Sequence, residues 1–174
     1  MAGIKKKFFD VEVPIAEENV QLQAYNMKDL NENHIKLDLT RKLKGKSMEL
    51  SLVVEVKNDK AVAIPKKLIL LPYFLRRMIR RGVNYVEDSI KLKCKDADIV
   101  IKPFLLTRKK VSRVVRNALR KKTKEEITEY VKNKKVEEIF ADIIKGRIQR
   151  PLSLKLKKVY PLALCEIRHL EILK

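Results

Sequence analysis

The sequence is poor in the residues that build most catalytic and cofactor sites. Its 174 residues include two histidines, two cysteines and four glycines. So few glycines argue against a glycine-rich nucleotide loop, and His34 and His169 leave little for imidazole-based catalysis. Cys94 and Cys165 stand far apart with no ligand cluster beside them. The expectation is therefore a reducing compartment, with neither a disulfide framework nor a zinc site. Long apolar runs are also missing. Leu68–Leu75 reaches eight residues, against the ~20 that a membrane-spanning helix needs. The start, Met1 to Lys7, is basic but leads into Phe8-Phe9-Asp10, which lacks the apolar centre of a signal peptide. Acidic residues are absent between Asp98 and Glu125.

What the chain does have is cationic charge on a normal apolar background. There are 41 Lys and Arg against 22 Asp and Glu, a formal charge of +19, with 45% hydrophobic residues. A disordered polycation would lack that apolar fraction, so a folded core is expected. The charge opposes compaction by self-repulsion and calls for a polyanionic partner, either nucleic acid or an anionic membrane surface. It is also concentrated. Residues 66–124 hold 19 basic and 4 acidic residues, while the rest of the chain holds 22 and 18. With no internal repeat and no Ser/Gly-rich joint, residues 1–174 read as one domain, with 1–7 as a short basic tail.

Hydrophobic periodicity divides the chain. Met48, Leu50, Leu52, Val54 and Val56 alternate with other residues, as do Ile35-Leu37-Leu39, Val20-Leu22-Ala24 and Ile90-Leu92-Cys94, the period of half-buried strands. Asn58-Asp59 and Lys95-Asp96 read as turns. Ile99–Leu105 reads as a further strand, and Leu162–Leu173 as a last one whose alternation blurs after His169. Short strands at close spacing predict an α+β fold: a central antiparallel β-barrel or strongly curved sheet with flanking helices. Pro72–Arg81 predicts a short helix closed by Gly82. Val111, Val114, Val115, Ala118 and Leu119 mark one face of a helix over 108–122, with Thr107 as its cap. Thr123 and Glu126 have capping-box spacing and predict the start of a second helix, with Glu125, Glu126 and Glu129 at the positive end of its dipole. Val136, Ile139, Phe140, Ile143 and Ile144 continue a helical face that Gly146 can end, with Glu137, Glu138 and Asp142 on its polar side.

The basic residues form three groups. Arg113, Arg116 and Arg120 lie opposite the apolar stripe of the 108–122 helix, Lys109, Lys110, Lys121 and Lys122 extend the same face, and Arg108 opens that basic helix. The planar guanidinium fork suits phosphate, which a nucleic-acid backbone supplies at regular spacing. A merely solubilising face would mix both signs. Arg76 and Arg80, like Arg77 and Arg81, stand four apart on the short helix, where like charges repel unless an external anion is present. Tyr73 and Phe74 beside them suit either a base stack or the core. Lys5, Lys6 and Lys7 form the third group. The mixed charge of 124–145 points toward a protein neighbour.

Catalytic readings are weak. Asp96 and Asp98 allow a metal-dependent nuclease but are better explained as a turn and an exposed strand position. Ser51, Ser89 and Ser153 have no nucleophile context, and Cys94 and Cys165 fall in apolar alternation as core thiols. The alternatives to a structural nucleic-acid binder are therefore that nuclease and a protein of anionic membranes.

Three stretches resemble the archaeal and eukaryotic small-subunit ribosomal protein family S3Ae, also called S1e and distinct from the bacterial protein S1. Lys6-Lys7-Phe8-Phe9-Asp10-Val11-Glu12-Val13-Pro14 resembles the family's opening strand, with phenylalanine where the family usually has a tryptophan. Leu43-Lys44-Gly45-Lys46, followed by Glu49-Leu50-Ser51-Leu52 and Asn58-Asp59, is similar to its next strand and turn. Val159-Tyr160-Pro161-Leu162 resembles the lead into its last strand. The family has a longer basic N-terminal extension, and many members carry a C-terminal tail; the shorter ends here resemble an archaeal member. The resemblance implies a structural constituent of the small subunit that binds small-subunit rRNA on the platform, near the messenger exit and the rRNA 3′ region. It implies neighbours such as the universal protein S11, a cytoplasmic location on the ribosome, and no enzymatic activity, cofactor, metal, small-molecule substrate or membrane. Its basic region corresponds to residues 107–124.

Overall fold

The computed structural model describes residues 5–57 and 60–173. It is an α+β fold with nine strands in one sheet: β1 (Lys7–Val13), β2 (Glu18–Ala24), β3 (His34–Asp38), β4 (Met48–Lys57), β5 (Lys60–Leu70), β6 (Tyr85–Glu87), β7 (Ile90–Lys93), β8 (Asp98–Thr107) and β9 (Leu162–Ile172). Four helices accompany them: α1 (Pro72–Met78), α2 (Arg113–Lys132), α3 (Val136–Ile144) and α4 (Gln149–Lys157).

Strand β5 organises the sheet. One edge pairs with β4 along its length. The other edge is shared, by β1 at Ala61–Val62 and by β9 at Lys67–Ile69. The expected sheet is present with two differences. It is mixed, because β1 runs parallel to β5. Among the described residues it also does not close into a barrel, since β2 pairs there with β1 alone and β3 with β4 alone. The expected turn at Asn58-Asp59 falls outside the described residues, but the strands on either side of it pair, with Lys57 opposite Lys60.

Alternation in the sequence translates directly into burial where a strand is regular. Met48, Leu50, Leu52 and Val54 all point inward on β4 and are fully buried. Two prolines explain where alternation breaks. Pro65 and Pro103 have no N–H to donate to a ladder, and strands accommodate such residues at bulges. At the first, Ser51 faces Lys67 and Leu52 faces Pro65, so Lys66 is the extra residue. The buried set of β5 accordingly shifts phase, from Ala61 and Ala63 to Leu68 and Leu70. At the second, Lys102 faces His169 and Pro103 faces Ile167, leaving Arg168 extra. The inward set of β9 then moves from Cys165 and Ile167 to Leu170. The blurred alternation near His169 is this bulge.

The helices correct several expectations. Helix α2 begins at Arg113, so Arg108, Lys109 and Lys110 precede it rather than extend its face. Its cap is Ser112, whose side chain accepts from Val115 N–H; Thr107 is the last residue of β8. Nor does a second helix start at Thr123. That residue is buried, its hydroxyl donates to the Leu119 carbonyl (2.7 Å), and α2 runs through to Lys132. Glu125, Glu126 and Glu129 are thus mid-helix residues. Burial of Leu119, Thr123, Ile127 and Val131 at four-residue spacing decides the matter, since a buried Leu or Ile contributes roughly 1.5–3 kcal/mol and a cap about 1. The apolar stripe is also rotated from the expected one: Leu119 is 0% exposed, but Val114 is 77% exposed and Ala118 is exposed too. Helix α1 ends at Met78, and Arg80 and Arg81 lie beyond it, so they do not share helix faces with Arg76 and Arg77.

Helix α3 ends as expected at Gly146, which has φ +73° and donates to the Ile143 carbonyl (3.2 Å). Asp142 is buried rather than on the polar side. Helix α4 has no counterpart in the sequence reading. Pro151 sits in its first turn, where a missing N–H costs nothing, and Leu152 and Leu156 face inward while Leu154 is exposed. Helix α2 lies against β6, β7 and α4, and α4 packs on β9.

Candidate nucleic-acid interface

The segment from Arg76 to Lys122 is drawn together by one polar junction. Thr107, fully buried at the end of β8, receives a hydrogen bond on its hydroxyl from Asn84 N–H (3.0 Å). Its own N–H donates to the Asn84 carbonyl (2.9 Å), and its hydroxyl lies within donating reach of the carbonyls of Lys109 (2.7 Å) and Asn84 (2.8 Å). The Asn84 side chain in turn accepts from Val111 N–H (2.8 Å). The loop carrying Arg108, Lys109 and Lys110 is thereby fastened to residue 84. Arg81 is three residues from that point, so its Cα lies within about 11 Å of the Asn84 Cα. Gly82 makes the intervening turn with φ +87°, a conformation that a side chain would strain.

Two of the three basic groups therefore converge. Arg81 and the loop of Arg108, Lys109 and Lys110 flank this junction, and Arg76, Arg77, Arg80, Arg81, Arg108, Lys109, Lys110, Arg113, Arg120 and Lys121 are all exposed. Arg116 and Lys122 are half-buried, contrary to a simple exposed face. The Arg116 Nε is buried without an acceptor among the described residues. Arg120 bends back, its Nη2 donating to the Glu87 carbonyl (3.3 Å). The third group is separated from the others. Lys7 opens β1, and β1 meets β5 at Ala61–Val62, near the end of β5 remote from α1. Lys6 lies over the Tyr25 ring there, 5.5 Å from its centroid.

Electrostatics set the converged groups apart. Ion pairs among the described residues include Lys42–Glu18, Lys46–Glu166, Lys67–Glu171, Arg168–Glu87, Lys134–Asp142 and Lys155–Glu126. Among the described residues, none of the ion pairs involves a cation of 76–81 or 108–124. The first turn of α2 has no acid and begins with arginine. Cations at a helix N-terminus oppose the macrodipole, costing about 0.3–1 kcal/mol each, and the same terminus attracts an anion.

The aromatic residues divide by depth. Phe74 is core, with the Arg77 guanidinium over its ring (5.5 Å), whereas Tyr73 is exposed in the first turn of α1. Asp96 and Asp98 are exposed at the β7–β8 turn and the start of β8. Among the described residues no group of three or more His, Cys, Asp or Glu side chains is placed to hold a metal ion. No described helix is long and apolar enough to cross a membrane. Burial pushes the Cys165 thiol up to about 12 and the half-buried Cys94 up to about 11, so both are protonated, unreactive thiols at neutral pH.

Asn84 and Thr107 escape a sequence reading as site residues, because their partnership spans 23 residues and neither is charged. Tyr85 escapes because a lone tyrosine in a three-residue strand carries no pattern.

Among curated proteins, the chain is similar to the small ribosomal subunit protein eS1 of Pyrobaculum islandicum, 24% identical over 139 residues, which covers 79% of this chain and 63% of that protein. The eS1 protein of Halorubrum lacusprofundi is 29% identical over 119 residues, covering 68% and 55%. That of Saccharolobus islandicus is 28% identical over 102 residues, covering 58% and 49%. The matches thus span about half to five-eighths of the length of these relatives. The sequence profile of the Ribosomal S3Ae family matches residues 4–174, the whole of the sheet and all four helices, and the chain belongs to that family.

Proposed function

We propose that this protein is a structural, non-catalytic constituent of the small ribosomal subunit that binds rRNA through the convergent cations of 76–81 and 108–122. The observation that carries the proposal is a concentration of exposed cations that no acid interrupts and that no ion pair among the described residues engages, whereas Lys42, Lys46, Lys134, Lys155 and Arg168 elsewhere in the fold have carboxylate partners. An RNA backbone supplies the missing anions. The contacts expected are to phosphates, which position an RNA by its shape without reading base sequence. Residues Lys5–Lys7, at the far end of β5, reach a separate stretch of RNA. Family membership supports a cytoplasmic ribosome, and the resemblance described above supports the platform near the messenger exit, beside a protein such as S11.

If about 6–10 phosphates are neutralised, affinity for an rRNA fragment falls roughly 10³–10⁵-fold between 50 and 200 mM salt. A titration of labelled small-subunit rRNA fragments at a series of salt concentrations measures this. A salt-independent Kd would overturn the proposal. The mixed-charge segment 124–145 faces a protein neighbour in this reading, and crosslinks from that segment exclusively to rRNA would overturn that part of it.

A further inference from the structure

Tyr85 lies between Asn84, to which the basic loop is tied, and Glu87, which Arg120 reaches, and phosphate binding gives it no task. It is 53% exposed, yet its ring is not loose. One side stacks on Phe104, which is 1% exposed, with ring centroids 6.0 Å apart and planes inclined by 17°. The short strand that carries it is held at both ends. On one side, Asn84 is locked to Thr107 and Val111 by the junction described above. On the other, the bulged Arg168 donates from Nη1 to both carboxylate oxygens of Glu87 (2.9 and 3.0 Å), while Arg120 donates to the Glu87 carbonyl. An aromatic ring fixed in this way has already lost most of the freedom that binding would otherwise take from it.

Its surroundings are cationic. Arg120 reaches the strand itself, and the loop of Arg108, Lys109 and Lys110 is tied to the residue before Tyr85. A duplex backbone would use those cations and leave the ring idle, because paired bases hide their faces within the stack. A nucleotide that is not paired presents a free π-face together with its phosphates, and aromatic platforms beside basic residues hold single strands in this way.

We propose that Tyr85 is the stacking platform for the base of an unpaired RNA nucleotide, whose flanking phosphates are held by Arg108, Lys109, Lys110 and Arg120. The proposal rests on the RNA-binding reading above and adds the kind of nucleotide bound and the side chain that receives it.

The chain contains no tryptophan, so Tyr85→Trp introduces a single indole at the proposed contact. Its fluorescence, and the anisotropy of labelled RNA, are followed together with a short oligoadenylate and with an RNA duplex of equal length. The expected result is strong quenching by the single strand, with little quenching by the duplex even when anisotropy shows it bound. Tyr85→Phe should keep the single-strand affinity, because stacking does not use the hydroxyl. Tyr85→Ala should lower it about 5- to 150-fold, the effect of losing one stacked base. An unquenched indole on a protein that binds the single strand, or equal quenching by both RNAs, would overturn the platform while leaving RNA binding intact. Failure to bind either RNA would overturn both readings, so the two failures are distinguishable.

Discussion

The two halves of helix α2 sit on one scaffold and solve opposite electrostatic problems. From Arg113 to Lys124 the charged residues are all cations, and no ion pair of the described residues engages them. From Glu125 onward acids appear, and Glu126 pairs with Lys155 of α4. Just beyond the helix, Asp142 of α3 accepts from Tyr130 Oη (2.8 Å) and from Lys134, with Arg147 at 3.7 Å. Burial alone would raise the Asp142 carboxyl, but the hydrogen bonds from Lys134 and Tyr130 outweigh it and hold it below its ordinary value. One half is neutralised within the molecule and serves folding. The other carries charge at the wrong end of the helix dipole, and its compensation lies outside the chain.

The largest expected effect separates the halves by function. Reversing Arg76, Arg77, Arg113 and Lys121 to Glu should abolish measurable binding to rRNA fragments at 150 mM salt, with the circular dichroism spectrum unchanged because all four are exposed. Reversing Lys132 and Lys135, which are equally exposed on the balanced side, should leave the affinity within a few-fold. Similar losses from both sets would remove the distinction and return the charge to a global property.

The next effect concerns the face of α2 that is anchored. Leu119→Ala should cost about 2–5 kcal/mol in urea unfolding. Val114→Ala, which the periodicity places on the same stripe, should cost under about 0.5 kcal/mol because Val114 is already in water.

A third test addresses the paired half. Asp142→Asn should cost about 1–3 kcal/mol at neutral pH, since Lys134 and Tyr130 lose a charged acceptor. The folded-state carboxyl lies below its unfolded value, so its contribution is present above about pH 4 and is lost as pH falls through the folded value. The stability of the wild type should therefore drop more steeply in acid than that of the variant, as measured by thermal melts from pH 6 to pH 2.

The smallest effect is on Lys155→Ala. Its pair with Glu126 is more than half exposed on the lysine side, so a loss near the limit of detection in urea unfolding is expected. A larger loss would mean that α4 is held to α2 by charge rather than by Leu152 and Leu156.

Much of this was legible in the chain because it rests on local period and on counting. The inward residues of β4, the strands on either side of residues 58–59, the helical face of α3 and the terminating Gly146 follow from neighbours within a few residues. So does the segment in which the charge concentrates. The two misplaced helix caps share one cause. Thr107 and Thr123 both carry good capping chemistry, and in both the hydroxyl is used elsewhere, by Asn84 in one case and by the Leu119 carbonyl in the other. A cap is worth about 1 kcal/mol, less than the burial that keeps α2 continuous.

By itself, the sequence determined that this is a folded α+β protein with a cationic segment too large to neutralise internally, because composition and periodicity are properties of the chain. Only the tertiary structure decided how that segment is arranged. The loop of Arg108–Lys110 is held beside the segment that follows Arg81 because Asn84 and Thr107 bond across 23 residues, and Tyr85 becomes a fixed, open ring because Phe104 stacks on it and Arg168 and Arg120 hold the end of its strand at Glu87. Lys5–Lys7 stand apart because β1 joins β5 at its far end. Contacts between residues remote in sequence depend on strand order and on bulges at Pro65 and Pro103, and no local pattern encodes them.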